Sequence, residues 1–124
     1  MKRLVFDLDN TLTKEGTGDS YLTVEPRLDM IELLKKYKND GFEIIISTSR
    51  NMRTYNCSVG KITANTLPII LDWLKRYDVP FDEILVGKPW CGNDGFYIDD
   101  KAIRPSEFLS LSYTEIRELL NKEK

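Results

Sequence analysis

Two pairs of acids, Asp7 with Asp9 and Asp99 with Asp100, each follow a short apolar run. Asp7 and Asp9 are two residues apart, so on an extended strand they share a face. One carboxylate could attack phosphorus while the other handles the proton. A carboxylate nucleophile gives an aspartyl-phosphate and splits hydrolysis into two easier steps. Close carboxylates repel one another, and burial pushes such a group towards its protonated form. A divalent cation removes that conflict, and an all-oxygen donor set of Asp7, Asp9, Asp99 and Asp100 favours Mg²⁺. Mg²⁺ keeps several waters and binds through one or two carboxylates plus a substrate phosphate. Thr48, after Ile44-Ile45-Ile46-Ser47, and Lys88, in Gly87-Lys88-Pro89, would hold the phosphoryl oxygens, a task of positioning and charge. Each residue alone has a plainer reading as a turn, a cap or a solvated side chain. Their order, each at the end of an expected strand, carries the inference.

Absent residue types narrow the chemistry further. The chain has no histidine, which excludes Ser-His-Asp and Cys-His mechanisms. Any general acid or base is a carboxylate, lysine or tyrosine. Cys57 and Cys91 form no C-x-x-C pair, so a Cys/His zinc site is not expected and both read as reduced thiols. The net charge of −2 argues against a nucleic-acid partner held by wholesale phosphate neutralisation. No apolar run reaches the roughly 20 residues that cross a bilayer. Met1-Lys2-Arg3 runs into Leu4-Val5-Phe6 and then acid, too short a run for a signal peptide, so the expected address is the cytoplasm with no membrane partner.

The elements that must position these residues alternate. Arg3 to Leu8 reads as a buried strand, and residues 13–24 as a loop with a hairpin near Gly16-Thr17-Gly18. A helix follows, with Pro26 in its first turn, Leu28, Ile31, Leu33 and Leu34 as its stripe, and Gly41 as its stop. Phe42 to Ile46 reads as a strand buried on both faces. Residues 47–63 show no clear period and read as a long loop with at most a helical turn. Thr66 to Tyr77 reads as a helix capped by Thr66, Ile84 to Val86 as a third strand, and Phe96-Tyr97-Ile98 as a fourth. Ser112-Tyr113-Thr114-Glu115 is a capping box opening a last helix. The expected fold is α/β, a Rossmann-like three-layer sandwich around a parallel sheet, formed by residues 1–124 as one domain. In such sheets the ligand site lies beyond the carboxyl ends of the strands.

The ordered set resembles the haloacid dehalogenase-like (HAD) phosphohydrolases. Asp7-Leu8-Asp9-Asn10-Thr11 resembles their first motif, D-x-D-x-T, and Thr48 the second, with Ser47 as a rival. Lys88 resembles the third, with Lys61 as a weaker competitor, and Asp99-Asp100 the fourth. The resemblance implies Asp7 as nucleophile and metal ligand. It implies Asp9 as acid/base that also gives its backbone carbonyl to the metal. Asp99 would be the main further ligand, with Asp100 nearby. Asn10 stands where many members have Gly, and asparagine tolerates a left-handed backbone. Thr48 to Thr54, Val59 to Ile62 and Gly87 to Pro105 are similar to a small bacterial subgroup labelled capsule or surface-polysaccharide biosynthesis phosphatases.

The gaps from Asp9 to Thr48 and from Thr48 to Lys88 leave no room for a cap domain, so the chain resembles the capless class. An open site suits a large substrate or one covered by a neighbouring subunit, which keeps a homo-oligomer among the expectations. Asn10 and Thr11 in the motif, and Arg50, Arg53 and Lys61 in a partial lid over 50–63, are the candidate substrate contacts. Trp90 and Tyr55 could stack on a sugar or a base, or simply pack. The leading expectation is a Mg²⁺-dependent phosphomonoesterase acting on a phosphorylated sugar or related small metabolite. A polynucleotide end-phosphatase and a non-catalytic phosphate-binding module are the alternatives.

Overall fold

The central strand sets the sheet. The structure, a computed structural model, describes residues 1–124 as two units, Met1–Trp90 and Cys91–Lys124. In the first unit β1 (Arg3–Phe6), β2 (Glu43–Thr48) and β3 (Glu83–Val86) form an open, all-parallel sheet in the order β1-β2-β3. Ile44, Ile45 and Ile46 are all buried, which explains an unbroken β-branched run where an alternating one would mark a strand with one wet face.

Between β1 and β2 lies α1 (Leu28–Asn39), which buries Met30, Ile31, Leu34 and Tyr37 on one face. Asp29 in its first turn and Lys36 and Lys38 in its last match the helix dipole. Gly41 ends it at φ +97°, a left-handed stop that favours glycine. The expected stripe is shifted, since Leu28 is exposed and Pro26 precedes the helix. Pro26 instead forms an antiparallel bridge with Thr13 that closes the loop of residues 13–26.

Residues 47–63 are not all loop. Turns run to 57, and α2 (Val59–Asn65) begins at Ser58, whose hydroxyl accepts from the Lys61 N–H at 3.3 Å. Only Ile62 of this helix is buried, so it left no apolar period to read. Its C-cap, Thr66, also starts α3 (Leu67–Arg76). In α3, Trp73 is buried and donates through Nε1 to the Val24 carbonyl at 2.8 Å, pinning the 13–26 loop.

Neighbouring parallel strands joined in chain order need right-handed crossovers, which put α1, α2 and α3 on one face. Phe6, Ile44 and Ile46 of that face are buried. On the other, Val5 is 67% and Leu85 52% exposed. There Arg3 crosses the central strand to Glu43 at 3.5 Å and Glu83 at 2.6 Å, beside the buried Ile45.

The second unit holds α4 (Pro105–Ser110) and α5 (Tyr113–Asn121), with Phe108 and Ile116 buried. The Ser112 capping box is formed in both directions: its hydroxyl accepts from the Glu115 N–H at 3.2 Å, and Glu115 accepts from the Ser112 N–H at 2.9 Å. The fourth strand expected at Phe96–Ile98 is not formed, and these residues lie outside the sheet. Three residues of high β propensity make a strand only where a neighbouring edge receives them. The observed sheet therefore has three strands. No helix is long and apolar enough to cross a membrane.

Candidate active site

The candidate site lies at the carboxyl ends of the three strands of the first unit. Asp7 directly follows β1. After it the chain makes one tight turn, in which the amides of Thr11, Leu12 and Thr13 all point at the Leu8 carbonyl, at 3.3, 2.9 and 3.2 Å. Leu8 and Leu12 are fully buried and anchor this turn from below. Asn10 takes φ +61°, the left-handed conformation its residue type tolerates, and its N–H donates to the Thr13 hydroxyl at 3.0 Å.

The ends of β2 and β3 are tied together. The Lys88 N–H donates to the Thr48 carbonyl at 3.1 Å, one step beyond the Thr48–Val86 register pair. Lys88 Nζ reaches Asp7 Oδ1 at 3.8 Å. The Thr48 hydroxyl accepts from the Arg50 N–H at 3.1 Å, leaving its own proton to donate elsewhere. Gly87, at φ +86°, makes the bend before Lys88 where a Cβ would press on the Val59 side chain at 2.8 Å.

Arg50 is the best-held charge in the unit. It is 3% exposed, and its guanidinium grips Asp9 with both arms, Nη2 to Oδ1 at 2.7 Å and Nε to Oδ2 at 3.2 Å. Tyr21 stacks over it at 4.0 Å. The third nitrogen, Nη1, is buried with no hydrogen-bond partner. A buried donor left unpaired is costly, and on a cation it is a place for an oxyanion.

Burial pushes the Asp7 carboxyl above its ordinary value of 3.8, and the neighbouring Asp9 adds to that. Lys88 above all, then the Leu8 N–H and Arg50, pull the other way. Asp7 is thus a partly desolvated carboxylate between positive groups, suited to nucleophilic attack on an anionic centre once deprotonated.

Asp7, Asp9, Thr48, Arg50 and Lys88 are brought together as the sequence predicts. Thr11 sits half-buried in the turn, and Asn10 is exposed beside it. Arg53 and Lys61 are exposed and do not join the cluster. Asp99 and Asp100 belong to the second unit, where Asp99 Oδ1 accepts from the Lys101 N–H at 2.8 Å. No three acid, cysteine or histidine side chains form a group able to hold a metal ion. Asp7 and Asp9 are the hard oxygen donors of the first unit's edge. Trp90 is exposed and Tyr55 half-buried.

Sequence reasoning missed Thr13, Tyr21 and Asn51, and read Thr66 as a helix cap alone. Asn51 has φ +62° and accepts from the Thr66 hydroxyl at 2.7 Å, fixing the loop that carries Arg50 to the start of α3. Tyr21 lies in a loop with no period, and nothing local marks it as a partner of Arg50.

No family model matches the chain, and no curated protein does. Among solved structures, the chain is similar to an MCSG target protein from Vibrio cholerae, 63% identical over 100% of both chains with a TM-score of 0.96. It is also similar to a chain of a Pnkp1/Rnl/Hen1 complex, 22% identical over 89% of this chain and 34% of that one, with a TM-score of 0.53. The second likeness is one of fold.

Proposed function

We propose that this chain, which belongs to one family with the Vibrio cholerae protein, is a HAD-like, capless phosphomonoesterase that works through an aspartyl-phosphate on Asp7. The observation that carries the reading is the meeting of Asp7, Lys88, Thr48 and the Asp9–Arg50 pair at one edge of a parallel sheet. An Asp7 oxygen attacks phosphorus as the ester oxygen leaves, and Asp9, entering the step protonated with one oxygen released from Arg50, gives that oxygen its proton. Asp9, now a base, takes a proton from the water that cleaves the aspartyl-phosphate. Lys88 and the Thr48 hydroxyl hold phosphoryl oxygens, and Arg50 keeps Asp9 in place.

The hard oxygen donors at the first unit's edge, Asp7 and Asp9, suit Mg²⁺. The half-buried Asp7 carboxylate would be a ligand, with Asp9 contributing its carbonyl. When bound, the ion supplies neutralisation of the transferring phosphoryl charge. The favoured substrate class is a phosphorylated sugar or related small metabolite, for which the cleft of ≈ 520 Å³ lined by Asp9, Tyr21 and the loop between them offers room.

The test is phosphate release from p-nitrophenyl phosphate, a panel of sugar phosphates and 5′- and 3′-phosphorylated oligonucleotides, with Mg²⁺ or EDTA. The expected result is release that needs Mg²⁺, falls about 10³-fold or more in Asp7→Asn, and is fastest on a sugar phosphate. Release confined to the oligonucleotides would move the assignment to polynucleotide ends. Phosphate binding without turnover on any compound would leave a binding module.

A further inference from the structure

The polar loop from Thr13 to Pro26 is ordered by its own hydrogen bonds and by α3. The Lys14 N–H donates to the Glu25 carbonyl at 2.8 Å, next to the Thr13–Pro26 bridge. The Thr17 hydroxyl donates to the Lys14 carbonyl at 2.8 Å and accepts from the Glu25 N–H at 3.0 Å. The Thr23 hydroxyl accepts from the Asp19 and Ser20 N–H groups at 2.9 and 3.1 Å. From outside, α3 holds the loop twice. Trp73 Nε1 donates to the Val24 carbonyl at 2.8 Å, and Arg76 Nη1 donates to the Leu22 carbonyl at 2.6 Å. Ordering a segment that buries little apolar surface costs conformational entropy, so its order calls for a use. The side chain that these ties present is Tyr21. It adjoins the Leu22 anchor, is 43% exposed, and sets its ring 4.0 Å from the Arg50 guanidinium carbon.

Arg50 needs such a support. Nε and Nη2 hold Asp9 while Nη1 has no partner, so hydrogen bonds fix the guanidinium on one side alone. A ring over its face fixes the plane and keeps water from the ion pair, which strengthens it. The support matters most during turnover. When one Asp9 oxygen leaves Arg50 to carry a proton, a single contact is left to aim the carboxyl, and it aims well only if the guanidinium itself is held. We infer that Tyr21 is a positioning residue: through Arg50 it keeps Asp9 aimed at the leaving oxygen, and α3 keeps Tyr21 in place through the Leu22 and Val24 carbonyls. The contacts are continuous, from Arg76 and Trp73 to the loop, from Tyr21 to Arg50, and from Arg50 to Asp9. Tyr21 and Asp9 line the same cleft, so a substrate entering it meets a carboxyl already set. The role in turnover rests on Asp9 being the acid proposed above. The hold of Tyr21 on the Arg50–Asp9 pair does not.

Two aryl phosphates of nearly equal size separate positioning from binding. p-Nitrophenyl phosphate releases a weakly basic phenolate that needs no proton, and phenyl phosphate a more basic one that does. Tyr21→Ala should lower kcat/KM about 10–100-fold on phenyl phosphate and about threefold or less on p-nitrophenyl phosphate. Tyr21→Phe, which keeps the ring, should recover most of that loss. Arg76→Met removes the Leu22 anchor from a residue that lines no part of the cleft, and should move the ratio of the two rates the same way by about 2–5-fold. An equal fall on both esters would make Tyr21 a substrate contact or a fold element, and a loss retained in Tyr21→Phe would assign the role to the hydroxyl; either result overturns the proposal. Asp9→Asn is the control for the acid itself and should show the same ester pattern. If it does and Tyr21→Ala does not, the proposal fails and the phosphatase reading stands. Urea unfolding needs no turnover. The coupling between Asp9→Asn and Arg50→Met should fall by about half or more in a Tyr21→Ala background. A reduced coupling in a protein that hydrolyses neither ester would leave the hold of Tyr21 on the pair standing and remove the phosphatase reading. An unchanged coupling overturns the proposal whatever the activity.

Discussion

The Asp9–Arg50 pair offers the sharpest energetic prediction. The Arg50 side chain is 0% exposed and Asp9's 35%, with contacts of 2.7 and 3.2 Å. Breaking a fully buried pair costs about 3–5 kcal/mol, because one charge is left without compensation. Here Asp9 is one-third open, so water softens the loss, and Asp9→Asn should cost roughly 2–3 kcal/mol. For a domain of this size that is a fall in Tm of roughly 6–15 °C. Arg50→Met keeps the buried stem, removes the charge and lets Asp9 turn to solvent, so its cost should be about 1–2 kcal/mol. The double variant should cost little more than Arg50→Met, giving a coupling of about 1.5–2 kcal/mol. Urea unfolding of all four proteins at pH 7, in low and high salt, measures it. A coupling below about 0.5 kcal/mol that vanishes in high salt would be the behaviour of a surface pair and would refute the reasoning.

Asp7→Asn should raise the Tm of the protein in EDTA at pH 7, because burial holds the folded carboxyl above 3.8 and its ionisation opposes folding. That cost is absent below pH 3.8, grows as pH rises from 3.8 to the raised folded value, and is complete above it; the gain should vanish near pH 3, and no gain at pH 7 would contradict it. Lys88→Met removes the main opposing influence, so Asp7, followed by NMR in EDTA, should titrate higher still. Gly87→Ala should cost about 2 kcal/mol or more, from a left-handed alanine and a 2.8 Å contact with Val59, and adding Val59→Ala should recover only the contact part, as unfolding midpoints will report. Tyr21→Ala should remove about 0.5–2 kcal/mol of stacking on Arg50, read by the same method.

What the sequence showed and what it hid divide by range. β1, β2 and β3, the cap at Ser112 and the helices α1, α3 and α5 were legible because each is set by neighbours within a few residues. Asp7, Thr48 and Lys88 were legible as a site because they end strands, and parallel strands bring their ends to one edge. The Tyr21–Arg50 stack and the Thr66–Asn51 bond were hidden, since each joins segments with no period of their own. α2 was hidden because its sole buried residue, Ile62, cannot make a stripe. The strand expected at 96–98 shows the limit from the other side: its propensity is local, but a strand also needs an edge to pair with.

The proposed mechanism rests on a covalent phosphoryl group at Asp7, which acid-quenched mass spectrometry detects. The protein is mixed with substrate and Mg²⁺, quenched within milliseconds and digested under acid. The expected product is one phosphorylated peptide, residues around Asp7, labile to hydroxylamine and absent from Asp7→Asn. Rapid turnover with no phosphopeptide, or with the phosphoryl group on another residue, would contradict it.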